Sequence, residues 1–152
     1  MKLAQSLRQE PIKMFASPWN APAWMKSNHE VNGKGYLLLE YYPAWANYFV
    51  KFLDTYKEQG IDFWGLTAQN EPWDGTVPDF TFNAMGWNAT TQRDWIVEHL
   101  GPALEAAGYE GTVTFFSLFS LKICTKMNSY LFVDTCFFCV QKWFLFCSGK
   151  SV

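Results

Sequence analysis

A chain of 152 residues that is 49% apolar and 19% aromatic can bury one packed core, and its composition is far from that of a disordered chain. A net charge of −2 leaves no basic face for a nucleic acid. The opening MKLAQSLRQEPIK carries charges where an apolar signal core would stand, so no signal peptide is expected; Lys122, Asp134 and Lys142 break the apolar C-terminal text below the ~18 residues of a membrane span.

Residues 2–9 set Leu3 and Leu7 four apart and read as the end of a helix, which Glu10-Pro11 breaks. Residues 12–16, IKMFA, suit a short buried strand stopped by Ser17-Pro18. A Pro-, Asn- and Gly-rich loop follows, in which Gly33-Lys34-Gly35 lacks the frame of a phosphate loop and reads as a turn. Residues 43–59 predict a strong amphipathic helix. Trp45, Tyr48, Phe49, Phe52, Leu53 and Tyr56 share one face, Pro43 suits the first turn and Gly60 the end.

IDFWGLTA, residues 61–68, predicts the second strand. After a loop to about residue 89, Thr91 with Asp94 resembles a capping box opening a helix over about 91–107, kinked at Pro102 and closed by Gly108. Residues 112–116, TVTFF, suit the start of a third strand. Helices alternating with strands imply parallel pairing with right-handed crossovers, hence an α/β fold. Chemistry in such folds sits at the C-terminal ends of strands. Both notable loops, SPW after the first strand and QNEPW after the second, lie there.

From about residue 113 the text changes. It has five charges in the 41 residues from Thr112, with no clean helical or strand period. All four cysteines, Cys124, Cys136, Cys139 and Cys147, fall in it, whereas a disulfide framework would spread them over the fold. Cys136-Phe-Phe-Cys139 has CxxC spacing but no strand–helix context for a redox thiolate. His29 and His99 are too distant in sequence to suggest zinc, and no cofactor or metal is implied.

The carboxylate with the most chemical promise is Glu71 in LTAQNEPWDG. It stands at the lip of the second strand, next to Asn70. A glycosidase needs two carboxyls across the scissile bond, one of them protonated to assist the leaving oxygen. Apolar neighbours such as Trp64 and Trp73 would raise the pKa of Glu71 and keep it protonated, and Asn70 could donate to a sugar hydroxyl. A solvated loop carboxylate capping the next turn fits the same tripeptide. Trp19, Trp24, Trp73 and Trp87 lie in or beside strand-end loops, where they would either stack on sugar faces or pack under the loops. Asn88-Ala89-Thr90 fits the glycosylation triplet of secreted chains.

The segments ASPW, MK, VNGKG, YFVKFLD, TAQNEP, QRDW and LGPAL, in this order and spacing, resemble the glucosylceramidases, the lysosomal acid β-glucosidases of glycoside hydrolase family 30. The resemblance covers about residues 1–111. It implies a (β/α)8 TIM barrel that cleaves glucosylceramide with retention of configuration. It further implies Glu71 as acid/base on the fourth strand, Asn70 holding the sugar's 2-hydroxyl, Trp19 lining the glucose pocket, and Phe80 or Phe82 at the entrance. It brings with it a lysosomal location, a membrane surface and an activator protein as partners.

Against that pattern the chain is expected to be an incomplete barrel of about three βα units. Residues 1–111 would be a partial catalytic domain and residues 112–152 a Phe/Cys-rich tail foreign to the family, such as translated non-coding sequence or a frameshift. The family's nucleophile is a second Glu on the seventh strand, and none is expected here; Asp74 and Asp79 would lie on the same side of the bond as Glu71. Retaining hydrolysis needs carboxyls about 5 Å apart, so an inactive fragment is expected. A non-catalytic sugar- or lipid-binding chain is the alternative. Two open strand edges are expected, with cover of one of them by the apolar tail as the less favoured alternative.

Overall fold

Residues 61–67 show how the sheet begins. Ile61 and Phe63 are buried, but the first ladder bond runs from the Trp64 N–H to the Met14 carbonyl, 2.8 Å. Strand β2 is therefore Gly65–Thr67, and strand β1 is Met14–Ala16, both shorter than their apolar runs. They pair in parallel, Phe15 opposite Gly65 and Ala16 opposite Leu66. The computed structural model describes residues 1–7 and 9–109, together with the backbone of residues 113–115 and 138–140.

Strand β3, Val113–Phe115, lies in parallel on the outer side of β2, within the segment expected from the sequence. Strand β4, Phe138–Val140, pairs in parallel with β1, giving the order β3-β2-β1-β4. The expectation of an open β1 edge is thus corrected: backbone from the tail occupies it. The cysteine side chains of the tail lie outside the described residues.

Helix α1, Lys2–Ser6, is shorter than the expected 2–9, and Leu3 and Leu7 are 74% and 77% exposed. Their four-residue spacing meets no apolar surface among the described residues. Helix α2, Tyr42–Glu58, matches its periodicity. Trp45, Ala46, Phe49 and Leu53 are buried, with Tyr48, Phe52 and Tyr56 packed at the margin. Gly60 adopts φ +71°; its N–H bonds the Lys57 carbonyl and that of Ile61 bonds Tyr56, which satisfies the last helical carbonyls.

The second crossover starts earlier than expected and by another device. Helix α3 spans Ala89–Trp95, and its N-cap is Asn88, whose Oδ1 accepts from the Thr91 N–H at 2.8 Å. Asn is at least as good an N-cap as Thr, and Thr91 sits at the third helical position, where the free N–H is. The Thr91–Asp94 box therefore does not form, and Asp94 pairs with Arg93 instead. The chain continues through a π turn, Ile96–Leu100, into helix α4, Gly101–Ala106. The expected disturbance at Pro102 takes this form: the Gly101 N–H reaches back to the Ile96 carbonyl, and the wider turn absorbs the missing proline donor. Gly108, at φ +78°, closes α4 as Gly60 closes α2.

Met14, Ala16 and Leu66 point into one core with α2, the π turn and α4. Its centre is aromatic: Trp95 lies 5.6 Å from Phe49 and 5.2 Å from Trp87, ring centre to ring centre. The Trp95 Nε1–H donates to the Tyr42 carbonyl at 3.0 Å, so the polar edge of the largest buried ring is satisfied. This packing fixes α2 and α3 behind the sheet and leaves the loops at the strand C-termini free to build a surface.

Candidate active site

Two loops leave the C-terminal ends of β1 and β2, residues 17–41 and 68–88, and they are stitched together. At the base, the hydroxyls of Ser17 and Thr67 share a hydrogen bond between the two strand ends. Beyond them the Asn70 N–H donates to the Pro18 carbonyl, 2.9 Å. Gln69 is fully buried, and its Nε2 donates to the carbonyls of Trp19, 2.7 Å, and Asn70, 2.9 Å. Further out, the Gly35 N–H bonds the Gly75 carbonyl at 3.0 Å and the Gly86 N–H bonds the Gly35 carbonyl at 2.8 Å.

Lys26 is the second fixed point. No part of it is exposed, and its Nζ donates to the carbonyl of Glu30 within its own loop, 2.7 Å, and to that of Ala84 in the other, 2.8 Å. Burial lowers its pKa to about 8 and outweighs the nearby Glu30 carboxylate, which acts to raise it. Gln69 and Lys26 were not identified as site residues from the sequence. Their partners lie 50 and 58 residues away, and each is a carbonyl, which leaves no mark on side-chain pattern.

Glu71 follows this stitched segment. Its carboxylate is exposed, its carbonyl accepts from the Asp74 N–H at 3.0 Å, and its backbone stands at φ +38°, a region that side-chain-bearing residues rarely occupy. Asn70 and Trp19 are half-buried beside it in sequence and across the Pro18 contact. Phe80 is half-buried and its carbonyl accepts from the Gly33 N–H, 2.8 Å; Phe82 is 60% exposed. All five residues therefore belong to the same pair of loops on the same end of the sheet.

Two expectations are corrected, and one left open is decided. Trp64 does not wall in Glu71: it precedes β2 at the other end of the strand, where it lines a cavity of about 240 Å³ with Leu53, Lys57 and Tyr109. Trp73 is 71% exposed, so it does not desolvate the carboxylate either. Trp87 is 6% exposed and packs on Tyr42 and Trp95, which makes it core rather than a sugar platform. Trp24, 57% exposed, stands edge-on to Tyr41. The β1 end, Ser17-Pro18-Trp19-Asn20, presents no carboxyl to face Glu71. Among the described residues no three His, Cys, Asp or Glu side chains gather as a metal site would need, and no helix is long and apolar enough to cross a membrane.

The profile of the glycosyl hydrolase family 30 TIM-barrel domain matches residues 1–120. The chain belongs to glycoside hydrolase family 30. Mouse lysosomal acid glucosylceramidase is 44% identical over 111 residues, which are 70% of this chain and 22% of that protein. The endo-1,6-beta-D-glucanase BGN16.3 of Trichoderma harzianum is 34% identical over 108 residues, 64% of this chain and 21% of that protein. The crystal structure of SrfJ from Salmonella typhimurium superposes with a TM-score of 0.63 at 33% identity, covering 68% of this chain and 22% of SrfJ. The chain thus spans about a fifth of these family 30 relatives, and strands β1, β2 and β3 lie within the stretch that matches the family's TIM-barrel domain.

Proposed function

We propose that this chain supplies the acid/base half of a retaining β-glucosidase site, with Glu71 as the proton-transferring group. One observation carries the reading: Glu71 follows Asn70 at the C-terminal end of β2, on a segment bonded to the loop of the neighbouring parallel strand. Family 30 barrels keep their chemistry on that face. In its acid form Glu71 gives a proton to the leaving glycosidic oxygen while a carboxylate on the opposite wall attacks the anomeric carbon. As a carboxylate it then takes a proton from the water that releases the sugar. Asn70 holds the 2-hydroxyl, Trp19 lines the pocket, and Phe80 or Phe82 flanks the entrance.

The substrate we assign is glucosylceramide, in the lysosome, at a membrane surface and with an activator protein. It is supported by the 44% identity to the mouse lysosomal acid glucosylceramidase. A β-1,6-glucan is the competing substrate, supported by the 34% identity to the Trichoderma glucanase.

The nucleophile of the family's pattern is a second Glu well past Glu71, and the 152 residues hold no Glu after Glu110, so we expect them alone to bind a β-glucoside without turning it over. The exposed Trp24, Trp73 and Phe82 favour such a binding-only role for these residues. The experiment is an aryl β-glucoside hydrolysis assay with a parallel titration of tryptophan fluorescence. No turnover is expected from the chain or from Glu71→Gln, and glucoside binding should weaken in Trp19→Ala and Asn70→Ala. Turnover that vanishes in Glu71→Gln would place a second carboxyl within these residues. Binding indifferent to both loop substitutions would remove the sugar-pocket assignment.

A further inference from the structure

We propose that Asn88 is an acceptor for an N-linked oligosaccharide. Asn88-Ala89-Thr90 is the single Asn-X-Ser/Thr triplet in the 152 residues, and both Asn88 and Thr90 are exposed. Neither depends on Glu71 or on turnover.

The two ends of the Asn88 amide are used differently. Oδ1 caps helix α3 by accepting from the Thr91 N–H at 2.8 Å. Nδ2 donates no hydrogen bond among the described residues. Elsewhere in the stitched loops that same atom is committed: Nδ2 of Asn20 donates to the Ala21 carbonyl, Nδ2 of Asn28 to Asn32, and Nδ2 of Asn32 to Thr81. A sugar on any of those would break a loop contact. On Asn88 it replaces one N–H that no described residue accepts, and the capping oxygen keeps both its lone pairs.

The reaction balances with a lipid pyrophosphate-linked oligosaccharide as co-substrate. Nδ2 attacks the anomeric carbon, a C–N bond forms, the C–O bond to the pyrophosphate breaks, and the lipid pyrophosphate leaves. One Nδ2 proton passes to a base. The fold has only to tolerate the product. It does so because the residue is exposed and its backbone, φ −90° and ψ 159°, is extended outside the helix. The preceding Trp87 N–H bonds the Pro72 carbonyl at 3.3 Å, so the glycan would stand at the closing end of the Glu71 loop.

The test translates the full chain behind a cleavable leader in the presence of microsomes and reads the protease-protected band before and after peptide N-glycosidase. One glycan is expected on the wild type, and none on Asn88→Asp or Thr90→Ala. Asn88→Asp keeps an N-cap oxygen, and Thr90→Ala keeps Asn88 itself, so neither loses its glycan through loss of the cap. A protected wild-type chain without the enzyme-sensitive shift overturns the assignment, and so does a glycan that persists in Asn88→Asp.

Discussion

The Asn70 N–H donates to the Pro18 carbonyl at 2.9 Å, and the bond ties the segment bearing the candidate acid/base to the neighbouring strand's loop. Gln69 reinforces the same join from below, with its Nε2 between the carbonyls of Trp19 and Asn70. Hydrogen bonds, two of them from one buried amide, thus hold this corner together. Gln69→Leu keeps the volume but leaves two part-buried carbonyls without this donor. We expect a loss of about 2 kcal/mol in denaturant unfolding. We also expect a larger loss of glucoside binding than of stability, because Trp19 and Asn70 both lose their anchor. An unchanged midpoint would show that water replaces the amide there.

Glu71 adopts φ +38°, where a Cβ crowds the following carbonyl. The strain is intrinsic to any side chain at that position and is relieved only by glycine. Glu71→Gly is expected to be more stable than Glu71→Ala by about 1 kcal/mol, the usual cost of holding an L-residue in the left-handed region. Thermal unfolding of the two variants checks it. Equal stabilities would mean that the turn relaxes at no cost. A candidate site residue held where glycine would be more stable fits a backbone whose geometry serves chemistry.

Much of this arrangement was legible in the sequence, for reasons tied to particular residues. Trp45, Phe49 and Leu53 announce α2 because a helix with one buried stripe cannot hide its period. Strands alternating with helices announce parallel pairing, and the end of β2 announces where Glu71 stands. Illegible were the features decided by distant partners. Lys26 and Gln69 are polar residues that sequence pattern assigns to solvent, yet backbone carbonyls from another loop hold them inside. Trp87 sits in a loop by its neighbours and in the core by its contacts. The capping choice turned on Asn88 and Thr91 being three apart, a pair as good as the one expected. Strand β4 arises in text without any period, which gave no sign of its pairing with β1.

Lys26 makes stability depend on pH in a defined window. Its pKa falls from the usual 10.5 to about 8 in the fold, since burial disfavours the ammonium. Below pH 8 the lysine is protonated in both states and the cost of burying the charge is constant. Between about 8 and 10.5 the unfolded chain binds more protons than the folded one, so the contribution of Lys26 to stability rises with pH. Lys26→Met removes both bonds to the Glu30 and Ala84 carbonyls and is expected to cost about 2 kcal/mol at pH 7. The gap between wild type and variant should widen as pH climbs through the window. Urea midpoints at pH 7 and pH 10 give the comparison, and a constant gap would show that the buried ammonium is not disfavoured.

The outer stitch rests on glycines that touch. A Cβ on Gly75 would lie 2.0 Å from the Gly86 nitrogen, and one on Gly86 would lie 2.7 Å from the Gly75 carbonyl oxygen. Both obstacles are backbone, so no rotamer change relieves them, and the Gly35–Gly75 and Gly86–Gly35 bonds would be forced apart. Gly75→Ala is therefore expected to cost more than about 2 kcal/mol, in the range of overpacking and lost buried hydrogen bonds together. Gly60→Ala is the control: nothing lies within 4 Å of its added Cβ, so only its φ of +71° is penalised, at about 1 kcal/mol. Hydrogen exchange separates the two effects. Gly75→Ala should lose protection at Gly35 and Gly86 while the amides of α2 keep theirs, because α2 also packs on Trp95, the π turn and α4, which the loops do not form. Loss of protection spreading into α2 would instead show that the loops and the core unfold as one unit.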